Sequence, residues 1–282
     1  MIKIRNTNQD IKISDYLGEW IYDIESLNKK FIHNTPYPHI VIENFFREEV
    51  AKEIVKTFPD LDNKWHLYYN PIEYKYANDD VDRYPRFIRD IFHLWSSDAF
   101  IDIMKRITEI NNLEMDPYLH GAGLHCHPRH GRLHMHLDYE KHPYLDKERR
   151  LNLIYFTNNN WKEEYNGDLQ LWEKNMSSCN KRIFPEFNKV VIFQTNDVSW
   201  HGLPNKIDCP KDIQRRTLAY YWISDLCTKK KSEHYRLKAK YVKRPQDVYD
   251  ERIQKLYDIR KDRRITIEDM DSIYPEWNPI DN

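Results

Sequence analysis

The sequence has few cysteines and few glycines, almost no net charge, and no long apolar run. Its four cysteines, Cys126, Cys179, Cys209 and Cys227, are scattered over 282 residues and form no Cys-x-x-Cys pair. That pattern argues against a disulfide scaffold and fits a reduced, intracellular protein. A net charge of −1 argues against a general nucleic-acid coat and against an acidic tail. No stretch is long and apolar enough to span a membrane. The opening residues lack the apolar core of a signal peptide. The expectation is a soluble, cytoplasmic protein. There is no internal repeat and no low-complexity linker.

Glycine is scarce at 6, whereas tyrosine reaches 20 and tryptophan 8. Hydrophobic residues make up 40% of the chain, so a sizeable core is possible. The length suits one large domain or two small ones. Residues 1–35 read as a polar lead-in, and His39-Ile40-Val41-Ile42 as a short strand. Asn44 is placed to cap a helix running to Phe58, with Phe46, Val50, Ile54 and Phe58 on one face and Pro59 as its stop. Two further helices are expected at 86–95 and 98–110, the second capped by Ser97.

From residue 116 the pattern changes to short strands, at 117–126, 132–138, 151–157, 168–172, 189–195 and 215–224. A run of short strands after a helical block points to a mainly β fold with flanking helices, a sandwich or jelly roll. Residues 245–259 read as one more helix, and 265–282 have no clear reading. The expected division is 1–115 as an N-terminal segment with supporting helices, 116–226 as the core, and 227–282 as a charged C-terminal extension.

In a strand, residues two apart face the same side. His136 and Asp138 therefore face one way and Leu137 the other. His201 follows 65 residues later, in Ser199-Trp200-His201-Gly202, just after the apolar strand Val190-Val191-Ile192-Phe193. Two histidines and a carboxylate are the ligands of a facial iron(II) site, which leaves positions open on the metal. A competing pattern is present. Residues 125–136 hold His125, His127, His130, His134 and His136, and any pair of them is a possible zinc ligand pair. His134 and His136 are themselves two apart.

Arg215 lies 14 residues after His201, at the head of the strand Thr217-Leu218-Ala219-Tyr220-Tyr221-Trp222. A guanidinium presents a planar fork that matches a carboxylate. Thr217 points to the same face and adds a hydroxyl donor. The pair suits the distal carboxylate of 2-oxoglutarate. Arg216 points away unless the register is shifted by one.

Residues 116–224 resemble the catalytic core of 2-oxoglutarate/Fe(II)-dependent oxygenases of the prolyl 4-hydroxylase type. The resemblance rests on Gly121-Ala122-Gly123-Leu124-His125 and the His136-x-Asp138 motif. It continues through Arg149-Arg150-Leu151-Asn152-Leu153-Ile154-Tyr155-Phe156, Trp161, and Asn166-Gly167-Asp168-Leu169-Gln170-Leu171-Trp172. His201 and Arg215-Arg216-Thr217 close it. The chain departs from the family at Asn166, where the first glycine is expected, and at Phe156-Thr157, where Leu-Asn is usual.

The resemblance implies a double-stranded β-helix, with Fe(II) held by His136, Asp138 and His201. It implies 2-oxoglutarate anchored by Arg215, with Tyr155 and His127 as further co-substrate contacts. It implies a dioxygenase that uses O2, with ascorbate as an accessory, and hydroxylates an unactivated C–H bond. Succinate and CO2 are the co-products. Iron halogenases of this type lack the carboxylate, so Asp138 favours hydroxylation.

The alternatives are a zinc-dependent hydrolase, or a non-catalytic metal- or ligand-binding protein using the histidine-rich stretch. The partner is expected to be a peptide or small-molecule substrate; neither membrane nor nucleic acid is expected. The basic run at 229–244 holds eight Lys/Arg against one Glu and reads first as a solvated surface. Substrate and oligomeric state are not legible.

Overall fold

The structure, a computed structural model, describes Ile4, residues 12–227 and residues 235–277. Residues 1–3, 5–11, 228–234, which include the start of the basic run at 229, and 278–282 lie outside them.

Among the described residues thirteen strands join in one sheet. They are β1 (His39–Ile42), β2 (His66–Asn70), β3 (Glu73–Asn78), β4 (Glu114–Met115), β5 (Gly123–His127), β6 (Arg132–Leu137) and β7 (Lys147–Phe156). They continue as β8 (Leu169–Trp172), β9 (Cys179–Ile183), β10 (Lys189–Gln194), β11 (His201–Leu203), β12 (Arg215–Asp225) and β13 (Lys240–Tyr241). The main path runs β1-β10-β7-β12-β5-β3-β6-β11-β8-β9. Strands remote in sequence are neighbours, as a rolled sheet requires, and the pairings are antiparallel. The sheet curls into a half-barrel with helices on its outer face, the architecture of a double-stranded β-helix. β1, β2, β3 and β4 come from before residue 116, and β13 from after 226.

Four helices support one wall: α1 (Ile24–His33), α2 (Glu48–Thr57), α3 (Arg86–Ser96) and α4 (Asp98–Thr108). α1 buries Ile24, Leu27 and Phe31, one stripe at helical spacing. These helices pack on the alternate residues Leu151, Leu153 and Tyr155 of β7 and Leu218, Tyr220 and Trp222 of β12. The other parity of those strands faces the interior. Burying each large apolar side chain contributes about 1.5–3 kcal/mol. The last two helices, α5 (Glu251–Asp262) and α6 (Ile267–Ile273), join Ile72 and Tyr241 in a second cluster.

Several sequence expectations need correction. α2 begins at Glu48, not after Asn44. Asn44 has φ 50° and makes a left-handed turn instead of a cap. The strand expected from 117 begins at Gly123, because the Asp116 carboxylate accepts from the amides of Tyr118 and His120 and holds a turn there. The lead-in contains α1. The β2–β3 hairpin was unforeseen; its turn is closed by Asn70 Oδ1, which accepts from the amides of Ile72 and Glu73 at 3.1 and 2.9 Å. Ser97 does cap α4, accepting from the amide of Phe100. No helix among the described residues is long and apolar enough to cross a membrane.

Candidate metal and co-substrate site

β6 presents His136, and Asp138 follows at its end. His201 opens β11 and is the direct ladder partner of His136. Gly202 permits this approach, since a Cβ there would stand 2.8 and 2.9 Å from the carbonyl oxygens of Leu133 and His134. Leu137, of opposite parity, packs with Met135, Trp172 and Trp200 behind the site. One ligand atom from each of His136, Asp138 and His201 lies within 4.8 Å of the others. Among the described residues this is the one cluster of its kind.

Hydrogen bonds aim the imidazoles. Nδ1 of His136 donates to the carbonyl of His134 at 2.9 Å, and Nδ1 of His201 to the carbonyl of Ser199 at 2.8 Å. A carbonyl only accepts, so each Nδ1 carries a proton and Nε2 is the nitrogen turned toward Asp138. Those Nε2 atoms lie 3.6 and 3.7 Å from the Asp138 carboxylate oxygens. Burial, then the neighbouring His136, pulls His201 down to about 4, so it is neutral at pH 7. Burial works against the charged form of Asp138. The Arg149 guanidinium, with His201 and His136, outweighs it and holds the carboxyl well below the usual range. Two imidazoles and one carboxylate suit a divalent first-row metal.

Two residues that sequence reasoning missed hold Asp138. Arg149 Nη1 lies 3.2 Å from its Oδ2, and Asn152 Nδ2 donates to the same oxygen at 3.3 Å. Arg149 is buried, its Cζ 3.6 and 3.4 Å from the ring centres of Tyr139 and Tyr221. Asn152 shares the parity of Ile154, so alternation along β7 is the signal that would have found it. Arg149 breaks that parity. The β7–β12 register shifts between Trp222 and Ile223, which pair with Leu151 and Arg149, so Arg150 is an extra residue there. This bulge turns Arg149 to the interior.

The site opens into a cavity of about 450 Å³. Arg215, Thr217 and His127 line it, on the paired strands β12 and β5. Arg215 Nε donates to the carbonyl of Gly167 at 2.7 Å. Gly167 has φ 77°, a conformation glycine adopts without strain. Burial pulls the Arg215 guanidinium down to about 9, and it remains a cation at neutral pH. Its Nη2 has no hydrogen-bond partner, nor do the Thr217 hydroxyl and both ring nitrogens of His127, all of them buried. A buried cation beside an unpaired hydroxyl is costly unless an anion completes the site.

The other sequence candidates fall elsewhere. Arg216 turns outward over the Phe58 ring, 5.2 Å from its centre. Tyr155 is not brought to the cavity. It has the outward parity of Leu153, packs against Phe45 and Phe46, and donates to Asn188 Oδ1 at 3.3 Å. His134 turns to Tyr257, with Nδ1 2.8 Å from its hydroxyl, so the His134–His136 pair does not converge. Of the basic run, the described part folds onto β6, where Tyr241 stacks on His136. Arg236 and Arg244 pair there with Asp197 and Asp247.

A family model of the 2OG-Fe(II) oxygenase superfamily matches residues 122–224. The chain is similar in structure to a prolyl hydroxylase from Trichoplax adhaerens, solved with a hypoxia inducible factor peptide fragment. The two are 16% identical, with 74% of this chain and 94% of that one covered, at a TM-score of 0.54. It is also similar to a prolyl-4-hydroxylase from Pseudomonas putida, at 14% identity, covering 71% of this chain and 99% of that one, with a TM-score of 0.50. Comparison of the sequence with curated proteins gave no match. A zinc hydrolase built on the histidine-rich stretch is not favoured. Residues 122–224 are thus similar to the 2OG-Fe(II) oxygenase superfamily, on a fold like that of the prolyl hydroxylases.

Proposed function

We propose that His136, Asp138 and His201 hold the Fe(II) of this dioxygenase. In this reading Arg215, Thr217 and His127 receive the distal carboxylate of 2-oxoglutarate. The observation that carries it is the Arg215 guanidinium, buried with Nη2 unpartnered in the same cavity as the three donor atoms. Bound iron supplies the oxidative chemistry: with O2, 2-oxoglutarate goes to succinate and CO2, and a substrate C–H bond is hydroxylated.

The protein's own contribution is placement. The carbonyls of His134 and Ser199 keep both Nε2 atoms aimed at one point. Arg149 and Asn152 hold one oxygen of Asp138, leaving the other to bind. Arg215 and Thr217 fix the far end of the co-substrate on β12. Leu169 and Ile154 line the cavity between these groups and limit water there. Ascorbate fits the same reading as a reductant that restores Fe(II). The four free cysteines fit a reducing compartment such as the cytoplasm. The relatives of like fold act on prolyl substrates; here the substrate is a peptide or a small molecule.

The test is calorimetry of 2-oxoglutarate binding to the Mn(II)-loaded protein. Arg215→Ala is expected to weaken binding by about 100-fold, as loss of a buried charge-assisted pair does, and Arg216→Ala by under about twofold. Equal effects of the two variants would remove Arg215 from its role.

A further inference from the structure

The cavity has an outer half that the iron and 2-oxoglutarate do not use. Its walls are the β2–β3 hairpin on one side and β13 with α5 on the other. Lys75, Lys238, Arg260 and Arg264 line it, against the carboxylates of Glu73 and Asp79. We propose that the prime substrate is a small anion whose oxyanion group docks among Lys75, Arg260 and Arg264, beside Tyr68. This rests on the reading of the inner site given above.

The cations converge on one place. Lys75 Nζ lies 5.2 Å from the centre of the Tyr68 ring, and Arg264 Cζ 5.4 Å from the same centre. Lys75 and Arg260 share a single buried carboxylate, with Glu73 Oε1 3.2 Å from Lys75 Nζ and Oε2 3.6 Å from Arg260 Nη2. Arg260 Nε is buried with no hydrogen-bond partner. Arg264 is exposed, and its guanidinium meets His66 Nε2 at 3.4 Å and no described carboxylate within 4.0 Å. Tyr241 links this group to the metal site: its ring stacks on His136 at 5.2 Å, and its hydroxyl lies 3.4 Å from Glu73 Oε2.

Charge balance points the same way. In the loaded inner site, Fe(II) is offset by Asp138 and one carboxylate of 2-oxoglutarate, and Arg215 by the other. Arg149 stays positive. The outer wall adds more cations than carboxylates. A cavity with an excess of one sign attracts the opposite charge and concentrates it. A neutral prolyl substrate would leave that excess uncompensated. The whole cavity, inner half included, is about 450 Å³, which leaves room for a small prime substrate.

The experiment uses the full chain loaded with Mn(II) and 2-oxoglutarate. The paramagnetic ion relaxes nuclei held near it. Methylphosphonate and acetate are the anionic probes; dimethyl methylphosphonate and acetamide are their neutral counterparts. The inference predicts saturable relaxation of at least one anion, about tenfold tighter than its neutral counterpart. The tighter anion tells phosphate from carboxylate chemistry.

Arg264→Ala, at an exposed side chain, is expected to weaken the anion about threefold, and the Lys75→Gln/Arg264→Ala double variant about tenfold. Lys52→Ala on α2, a salt-bridged surface lysine outside the cavity, is the control and changes nothing. Equal relaxation of neutral and anionic probes overturns the inference. So does a folded double variant, or the single variant alone, that binds like wild type. Failure of Mn(II) or 2-oxoglutarate to bind wild-type protein instead overturns the functional reading beneath it.

Discussion

His136 and His201 are direct partners in the β6–β11 ladder, with ring centres 4.4 Å apart. The pairing brings residues 65 positions apart in sequence to the same level of the sheet. Asp138, two residues beyond His136, then faces both rings. Asp138 itself is placed by Arg149 across the cavity.

Arg149→Met is expected to destabilise the metal-free protein by about 3 kcal/mol, because it leaves Asp138, a largely buried carboxylate, without its cation. Added Mn(II) should restore part of that loss by giving Asp138 a new positive partner. Thermal melts of both proteins with and without Mn(II) check this. A metal-induced rise in melting temperature no larger than that of wild type would contradict it.

Arg215→Met has the opposite sign in the absence of co-substrate. Removing a buried, uncompensated cation is expected to stabilise the free protein by about 1 kcal/mol. Wild-type protein gains about 2.7 kcal/mol from 2-oxoglutarate at a hundred times its Kd, and the variant gains almost none. Urea unfolding with and without 2-oxoglutarate measures both. A variant less stable than wild type and still stabilised by 2-oxoglutarate would count against the assignment.

Stability should fall in mild acid. Burial lowers the pKa of His201 to about 4 and of His134 to about 3, and holds His125 and His127 well below the ordinary imidazole value. The unfolded chain takes up these protons near pH 6.5 and the folded chain does not, so stability rises with pH in between. The contribution is fully present above about pH 6.5 and is lost as the pH falls toward 4. The slope is about 1.4 kcal/mol per pH unit for each histidine. Urea midpoints of the metal-free protein across that window give the slope, and His134→Gln should reduce it. A flat profile would mean that these histidines are charged in the folded state.

Tyr155→Phe removes a hydroxyl that donates to Asn188 behind the sheet. The expected loss is about 0.5–1.5 kcal/mol of stability with no change in 2-oxoglutarate affinity. A large loss of 2-oxoglutarate affinity would return Tyr155 to the co-substrate contacts.

Strand parity made much of the site readable. The two-residue period places His136 with Asp138, and Arg215 with Thr217, and it turns Arg216 outward. Parity fails where the ladder is irregular, so Arg149, displaced by the bulge at Arg150, gave no signal. The β2–β3 hairpin was hidden because His66 to Asn70 does not alternate: its residues are exposed except for half-buried Tyr68 and buried Asn70. Arg260 and Arg264 reach the cavity only through the packing of α5 against β13, which a linear pattern does not encode. Asn44 is ambiguous in sequence because an asparagine that favours caps also favours left-handed turns, and here it adopts the turn.

The most direct test of the central claim is anaerobic. Fe(II) and then 2-oxoglutarate are added to metal-free protein and the visible spectrum is recorded, with Asp138→Ala and Arg215→Ala alongside. The account predicts a weak charge-transfer band that needs both additions and is lost or reduced in each variant. Absence of the band in wild-type protein, with tight zinc binding instead, would contradict it.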